Sequence, residues 1–397
     1  MADTPHDGRW GLVGVGSDGA EMASQVVTDA TGDPFDDRIA LLARDISDVR
    51  AYAEQIGAIG TGSRGEAAAD TDRIVTFDLP FGLQFDLSGV VPEERQFRAD
   101  AERVVESLRS VLDGADAIAY LTVLGHRASW VVPTLVDRIG ATGNGQSPDA
   151  PASGRRPQQF VVATLPSETD AVQARFDACY TLFGLLGSDD RRSPRTTFLV
   201  SRPTLQEQYP PDLVEGSPGA RSNGLPHDPI VAAVNQFVAA SRRSETLPST
   251  HGTFGIARDQ PVGLDPTVAI EAAAHATFVP LDLSTVESVS LIVGAPEEQI
   301  RSDAITAVDV ADAFDSWAAE RGISDRTRGS TLVSRPGDDR TFDVLLVPTG
   351  FDLGPVFDPL QGAYEQGKAG LERAESYRDL AQAERLEQQA RDADTDD

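Results

Sequence analysis

The residues with the clearest chemical potential are three glycines near the N-terminus, in the pattern Gly14-x-Gly16-x-x-Gly19. A short apolar stretch typical of a buried strand precedes them, and an apolar helical pattern follows them. Glycines let backbone amides approach an anion, and the N-terminus of a helix adds a favourable dipole. The turn therefore predicts a phosphate-binding site built from one short segment: Gly14, Gly16, Ser17, Asp18, Gly19 and Ala20.

Two other interpretations of this turn stay open. Its spacing matches the dinucleotide fingerprint, in which Asp45, after a predicted strand from Ile39 to Ala43, is the candidate for binding a ribose. That interpretation predicts a Rossmann-type oxidoreductase that uses NAD(P). The alternative is a tight strand–helix turn that binds no ligand.

Other catalytic patterns are missing from the sequence. The five histidines lack HExxH spacing and a cysteine partner, so the sequence predicts no metal site. There is no Gly-x-Ser-x-Gly elbow and no Gly-Lys-Ser/Thr motif, which removes support for those hydrolase and P-loop classes. Cys179 is the only cysteine, so an intrachain disulfide is excluded.

Apolar runs and helical repeats alternate along the first half of the chain. After the strand that ends at Ala43, strands are predicted at Arg73 to Phe77 and Ile118 to Leu124, with a loop at 57–72. An amphipathic helix is predicted at 94–113, and another begins at Trp130. This alternation predicts an α/β fold with a doubly wound parallel sheet.

The pattern changes after a long helix that is predicted from Pro229 to Ser241. Strands at Phe278 to Leu281, Val289 to Val293 and Phe342 to Val347 then surround one helix at 308–321, which predicts a smaller α+β unit. The predicted domains are a Rossmann-like nucleotide-binding domain at 1–228, a central helix and linker at 229–248, a smaller α+β domain at 249–353, and a charged C-terminal helix with an acidic tail at 354–397.

The charge of the chain limits its partners. Acidic residues outnumber basic ones by 63 to 34, which gives a formal net charge of -29. Binding to nucleic acid or to anionic lipid needs a basic face, so both are disfavoured. The acids are spread over a chain that is 40% hydrophobic, which indicates a folded protein rather than a disordered polyanion.

The composition also predicts where the protein works. An acidic surface is tolerated at molar salt, where the Debye length is about 3 Å. The Asp-rich composition, with Lys368 as the single lysine, resembles that of cytoplasmic proteins from organisms that balance brine with internal salt. The N-terminus is polar and no apolar run reaches the ~20 residues of a membrane span. We expect a cytoplasmic protein of halophilic type.

The order of these parts resembles the tubulin/FtsZ superfamily, and archaeal FtsZ and CetZ proteins are similar in length and layout. The shared features are a glycine-rich first turn, a doubly wound domain, a long helix from about residue 229 and a smaller α+β domain. The resemblance covers roughly residues 10–350 and rests on order and spacing. It implies a cytoskeletal protein that acts in cell shape or division and binds GTP or GDP, with Mg²⁺ when the pocket is occupied.

The second phosphate loop departs from the pattern of that family. The family has a Gly-Gly-Gly-Thr-Gly-Thr-Gly loop that wraps the β- and γ-phosphates, whereas this chain has Leu124-Gly-His-Arg-Ala-Ser-Trp130. Gly125 alone matches, and Trp130 is expected to occlude the phosphate cradle. His126 and Arg127 are candidates for cationic contacts that replace the amides, or else belong to a polar loop or a partner contact.

The resemblance also proposes contacts to the rest of a nucleotide. Asn235 lies where the family has an Ala-Asn-Asp stretch that meets guanine, and its amide can both donate and accept hydrogen bonds. A helix-surface amide is an equal alternative. Glu168, Asp170 and Arg175 lie near the positions of the acid and arginine that contact the ribose in the family.

The residues for hydrolysis are incomplete. In the family, a neighbouring subunit supplies two acids spaced three apart, which polarise the attacking water. Asp265 is the candidate for the first acid here, but the second position is Val268. Asp265 also suits the N-cap of a helix that has Pro266 at its first position. The sequence therefore predicts weak or absent GTPase activity.

Three hypotheses follow. The first is a divergent tubulin/FtsZ/CetZ-like protein that assembles with itself or with relatives, and the others are the NAD(P) oxidoreductase and a nucleotide-free scaffold. The C-terminal helix, predicted at 360–391, is interpreted as solvated, with a partner-binding tail as the alternative.

Overall fold

The fold is described from a computed structural model. It covers residues 9–30, 34–43, 45–60, 74–76, 94–141, 157–186, 195–210, 226–241, 250–335, 337, 339–366 and 369.

The first half of the chain forms the predicted doubly wound parallel sheet. Its strands lie side by side in the order 3-2-1-4-5-6, and all pairs are parallel. Every residue of the first two strands is buried, as expected for a parallel sheet that is covered on both faces. The strands are β1 (Trp10–Val15), β2 (Ile39–Ala43), β3 (Ile74–Thr76), β4 (Ala117–Val123), β5 (Gln158–Leu165) and β6 (Arg195–Ser201).

Helices cover both faces of this sheet. The helices are α1 (Gly16–Asp29), α2 (Arg50–Gly60), α3 (Glu94–Val111), α4 (Val132–Ala141), α5 (Val172–Leu186), α6 (Arg202–Gln208) and α7 (His227–Ser241). Helices α1, α2 and α7 share one apolar cluster with alternate residues of the strands, whereas α3, α4 and α5 share the other. The carboxyl ends of the parallel strands are therefore left open at one edge, where such sheets bind ligands.

The second half of the chain continues the same sheet. The short strand β7 (His251–Gly252) pairs in parallel with β6 and antiparallel with β11 (Thr341–Thr349). Strand β11 also pairs with β8 (Gly255–Pro261) and β9 (Ser288–Pro296), and β9 pairs with β10 (Thr327–Arg335). The helices here are α8 (Pro266–His275), α9 (Glu297–Arg301) and α10 (Ala307–Glu320). The domain bounds predicted from the sequence stay a prediction.

Several details of the second half differ from the sequence predictions. The expected strand at Phe278 to Leu281 is an irregular segment, although Phe278 is fully buried. Strands β8 and β10 were not expected, because half-exposed polar residues such as Arg258 and Asp259 interrupt their apolar pattern. In the first half, α2 extends to Gly60, so the loop predicted at 57–72 begins later; residues 61–72 lie outside the described part.

One face of the start of the C-terminal helix (354–366) packs against α5. Phe357 stacks on Phe183 of α5 with ring centroids 5.9 Å apart, and Tyr364 stacks on Phe176 at 5.8 Å. Leu360 is 1% exposed. The solvated helix predicted at 360–391 therefore has a buried face at its start, formed by Leu360 and Ala363, while Gln361 and Glu365 on the other face are exposed. Residues 370–397 lie outside the described part. None of the described helices is both long and apolar enough to cross a membrane.

Candidate functional site

The glycine turn joins β1 to α1, and close packing explains two of its three glycines. A Cβ atom on Gly14 would lie 2.6 Å from the carbonyl oxygen of Gly19, and one on Gly19 would lie 2.4 Å from the carbonyl oxygen of Leu121 in β4. Gly16 has a φ of 76°, in the left-handed region that favours glycine. The helix thus approaches the sheet so closely that side chains are excluded, whether or not a ligand binds.

A cavity of about 260 Å³ lies at the N-terminus of α1. It is lined by Val15, Gly16, Ser17, Asp18, Ala43, Asp48, Val123, His126 and Ala128. No side chain caps α1 at Val15, so the dipole of a 14-residue helix points at this cavity. The structure therefore brings together Gly16, Ser17, Asp18 and His126 at the position predicted for a phosphate.

The charges in this cavity are unlike those of an anion site. The side chain of Asp18 is 5% exposed, and Asp48 also lines the cavity. The imidazole of His126 lies beside Asp18, with Nε2 3.7 Å from Oδ2 of Asp18, and the His126 side chain is mostly exposed. A buried carboxylate at the helix N-terminus already takes the place that a phosphate would take in the dipole field. The described lining therefore fits a phosphate poorly.

The loop after β4 does not occlude the cavity as the sequence predicted. Trp130 is buried, but its ring stacks on Tyr180 of α5 with centroids 4.8 Å apart, and His126 and Ala128 are the loop residues that line the cavity. Gly125 has a φ of 90°, and a Cβ atom there would lie 2.7 Å from the carbonyl oxygen of Ala174. Gly125 thus faces α5. The side chain of Arg127 lies outside the described part.

Two predicted site residues form helix caps. The carboxylate of Asp45 accepts a hydrogen bond from the backbone N–H of Ser47 at 2.9 Å, which holds the pKa of that carboxyl below its usual range. Asp265 accepts one from the N–H of Thr267 at 2.9 Å, at the start of α8. Both carboxylates therefore stabilise local turns, and Asp48 is the nearby acid that reaches the cavity.

The carboxyl ends of β5 and β6 carry an ion pair. Arg202 Nη1 lies 3.1 Å from Oδ2 of Asp170, and that oxygen also accepts a hydrogen bond from the N–H of Ser167 at 2.7 Å. Arg202, which was not among the candidates from the sequence, thus holds Asp170 in place; its contact to a ribose stays a prediction, as does that of Arg175. Glu168 is exposed.

Asn235 lines a second, larger cavity of about 620 Å³ between α1, α2, α7 and the second half of the sheet. It lies eight residues after His227 on α7 (227 to 235), which corresponds to about 12 Å along the helix. Glu21 of α1 lines the same cavity. The charged lining consists of Glu21, Asp29, Asp228, Asp343, Arg258 and Arg335. Asn235 thus lines the larger cavity and not the small one at the predicted phosphate position.

Between the two cavities lies a buried cluster that the sequence analysis did not find. Ligand atoms of Asp18, Glu21 and His227 all lie within 4.8 Å of one another. Tyr52 donates a hydrogen bond to Oε2 of Glu21 at 3.1 Å. The spacing of Asp18 and Glu21 on one face of α1 was visible in the sequence, but His227 is distant in the chain and no local signal links it to them.

Two aspartates that contact Arg335, an arginine of the larger cavity, have pKa values shifted in opposite directions. Arg335 Nη2 donates to Oδ1 of Asp339 at 2.9 Å, which lowers the pKa of that carboxyl. Burial raises the pKa of Asp343, although Arg335 Nε lies 3.3 Å from its Oδ2. A carboxyl group whose pKa is raised by folding contributes more stability at low pH, and this contribution is lost as pH rises. A carboxyl group whose pKa is lowered by folding contributes more stability at high pH, and this contribution is lost as pH falls.

We therefore compare the melting temperatures of Asp343→Asn and Asp339→Asn with that of the wild type over a range of pH. The difference from wild type should change with pH in opposite directions for the two variants. From about pH 3 to 7, Asp343→Asn should become more stable relative to wild type, and Asp339→Asn less stable. Thermal unfolding followed by circular dichroism checks this. Changes of the same sign in both variants would contradict the assigned environments.

The comparisons with known proteins give the fold. No family model and no curated protein matches the chain. CetZ from Methanosaeta thermophila strain DSM 6194 superposes with a TM-score of 0.59 at 14% identity, over 98% of both chains. TubZ from Bacillus thuringiensis serovar israelensis, in GDP-form protofilaments, gives 0.61 at 13% over 94% of both. The empty FtsZ dimer of M. jannaschii gives 0.54 at 14%, over 86% of this chain and 88% of that one. The chain has the tubulin/FtsZ fold.

Proposed function

We propose that this protein is a divergent cytoskeletal subunit that assembles head to tail in the manner of tubulin/FtsZ proteins, and that it binds GTP or GDP weakly and hydrolyses little or no GTP. The observation that carries the proposal is the buried carboxylate of Asp18 in the cavity where the fold would hold phosphate. Its cellular role would be in cell shape or division.

The extent of the structural likeness supports assembly. The superposition with TubZ, a protein described in GDP-form protofilaments, covers 94% of both chains, so no large part of that architecture is missing here. A head-to-tail contact between copies of one chain generates a filament when it does not close into a ring. The first turn of α8, which follows the Asp265 cap, exposes Val268 at 53%. We place the next subunit on this turn.

The site supports weak phosphate binding. Asp18 and Asp48 would repel a triphosphate, and the described lining opposes these two acids with the imidazole of His126. Carboxylate oxygens suit Mg²⁺, so Mg²⁺ carried by the nucleotide would be held by Asp18 and Asp48 and would reduce that repulsion. The same carboxylates favour a second candidate function, a scaffold that assembles with no nucleotide.

The residues at the proposed subunit contact are the reason to expect weak GTP hydrolysis. The carboxylate of Asp265 is engaged as a helix cap, and Val268 has no group that polarises water. A subunit contact built on this turn would bring no second acid to the neighbouring nucleotide site. Assembly would therefore not be coupled to rapid loss of the terminal phosphate.

Substitution of Val268 tests the proposed contact. Val268→Asp should raise the protein concentration needed for assembly at least tenfold, about 1.4 kcal/mol, because a carboxylate would be buried in an apolar contact. Val308→Asp is the matched control, since Val308 is a similarly exposed valine in the first turn of α10. Sedimentation at increasing protein concentration gives both values. Equal effects of the two substitutions would place the contact elsewhere.

The proposed function is tested by electron microscopy and sedimentation in molar KCl, without nucleotide and with GTP or GDP. We expect filaments in at least one of these conditions. A monomer in all of them would overturn the assembly proposal. The same protein is also titrated with NADH by calorimetry. Tight NADH binding without any effect of GTP or GDP would support the oxidoreductase hypothesis instead.

A further inference from the structure

We propose that Asp18, Glu21 and His227 bind a divalent transition-metal ion that joins α1 to α7. The ligand atoms of the three side chains lie within 4.8 Å of one another, and all three residues are buried. This metal site consists of protein side chains alone. It shares Asp18 with the position proposed for nucleotide-borne Mg²⁺ but adds Glu21 and His227. It does not rest on the proposed function.

The environment of His227 is the observation that indicates a bound ligand. Its side chain is 2% exposed, and neither ring nitrogen has a hydrogen-bond partner among the described residues. A buried polar group without a partner costs about 1–3 kcal/mol, so such groups normally have one. Oε1 of Glu21 lies 3.7 Å from Nδ1, beyond hydrogen-bond distance. An imidazole beside two carboxylates offers a ring nitrogen that can coordinate a cation together with them.

The distances fit a shared ion. Zinc lies about 2.0–2.2 Å from nitrogen and oxygen ligands, so two ligands of one tetrahedral ion are about 3.4 Å apart. The 3.7 Å between His227 and Glu21 is close to that separation, and the other ligand pairs lie within 4.8 Å, so the side chains would close in on a bound ion. Asp18 and Glu21 are one turn apart on α1, so a single helix face supplies both carboxylates.

The surroundings of the cluster also fit a metal. Tyr52 donates a hydrogen bond to Oε2 of Glu21 at 3.1 Å, which leaves Oε1 facing His227. Such an outer hydrogen bond orients a ligating carboxylate. Two buried carboxylates beside one imidazole also carry excess negative charge, and a divalent cation would balance it.

The ligand types identify the class of ion. Two carboxylates and one imidazole suit Zn²⁺, Mn²⁺, Fe²⁺ or Co²⁺, whereas Mg²⁺ and Ca²⁺ prefer oxygen ligands throughout. Three protein ligands leave at least one coordination position for water or another small ligand. The ion would lie between the small cavity, which Asp18 lines, and the large one, which Glu21 lines.

The test uses the full chain in molar KCl, stripped with EDTA and then titrated with Zn²⁺ or Co²⁺. We expect one equivalent of Zn²⁺ to bind, a rise in melting temperature, and a Co²⁺ absorption spectrum that changes with the ligand set. Glu21→Gln, which keeps the size of the side chain and an acceptor for Tyr52, should weaken binding at least a hundredfold. Tyr52→Phe should weaken it about 10- to 100-fold.

A matched control is the exposed pair of His275 and Glu271, in which Nε2 lies 2.8 Å from Oε1. Glu271→Gln should leave Zn²⁺ stoichiometry and affinity unchanged. The proposal is overturned if the wild-type chain binds no stoichiometric metal, since His227 and Glu21 would then form an ion pair only. It is also overturned if Glu21→Gln binds Zn²⁺ as tightly as wild type. Circular dichroism of each metal-free variant confirms that the fold is intact.

Discussion

Replacing Asp18 with asparagine is expected to strengthen the binding of GTP and GDP to the EDTA-stripped protein by tenfold or more. The carboxylate lies in the small cavity at the N-terminus of α1 and its side chain is 5% exposed. Two unit charges about 5 Å apart interact by about 3 kcal/mol at an effective dielectric constant of about 20. Buried pairs are screened only weakly by salt. Removing this repulsion should therefore make the binding free energy more favourable by more than about 1.4 kcal/mol, which corresponds to tenfold in affinity.

The measurement is a calorimetric titration of both proteins in molar KCl with EDTA and no divalent ion, so that no Mg²⁺ bridges Asp18 and the phosphates. Asp45→Asn is the control, because Asp45 is a nearby acid whose carboxylate caps its own turn and does not line the cavity. That variant should bind nucleotide as the wild type does. If Asp18→Asn also leaves nucleotide affinity unchanged, the small cavity is not the phosphate position.

Replacing Gly19 with alanine is expected to destabilise the fold by about 3 kcal/mol, at the upper end of the usual cost of overpacking. The added Cβ atom would lie 2.4 Å from the carbonyl oxygen of Leu121, and this neighbour is backbone in the centre of the sheet. Helix α1 would have to move away from β4 and disturb the buried contacts on that face. Domains have a total stability of about 5–15 kcal/mol, so this loss is large.

Denaturant unfolding in molar KCl gives the free energy of unfolding. Gly57→Ala is the matched control, because Gly57 lies inside α2 and a Cβ atom there would have no neighbour within 4 Å. That substitution should stabilise the protein by about 0.5–1 kcal/mol, since alanine favours the helix. If Gly19→Ala is as stable as wild type, the close approach of α1 to the sheet is wrong.

The first half of the fold could be predicted because its signals are local. Parallel strands buried on both faces are continuous apolar runs, and β2 has the bounds that the sequence predicted. In the second half, the half-exposed strands β8 and β10 carry polar residues that hide their periodicity. The apolar run at Phe278 suggested a strand, but its burial comes from tertiary packing.

The candidate site was predictable only in part. Its position followed from the glycine turn, because a strand–turn–helix unit is contiguous in the chain. The direction of Trp130 depends on Tyr180, and the environment of Glu21 depends on His227. Such contacts join residues that are distant in sequence, and one sequence alone carries no signal for them. The acidity of the cavity could be suspected, since Asp18 lies inside the motif itself.

The net charge of -29 bears on the same point. A triphosphate that approaches this chain meets a negative surface, and the described residues around the small cavity include two acids and one imidazole. Such a protein would bind nucleotide only where salt or a divalent ion reduces the repulsion. Assembly without nucleotide turnover is consistent with this electrostatic environment.

The central claim is that assembly is retained while GTP hydrolysis is weak or lost. The direct test records light scattering and phosphate release together, in one sample of the wild-type protein in molar KCl with Mg²⁺ and GTP. We expect scattering to rise and then stay level, with no phosphate release above the rate of a sample without protein. Scattering that rises together with sustained phosphate release, and falls when GTP is exhausted, would contradict it.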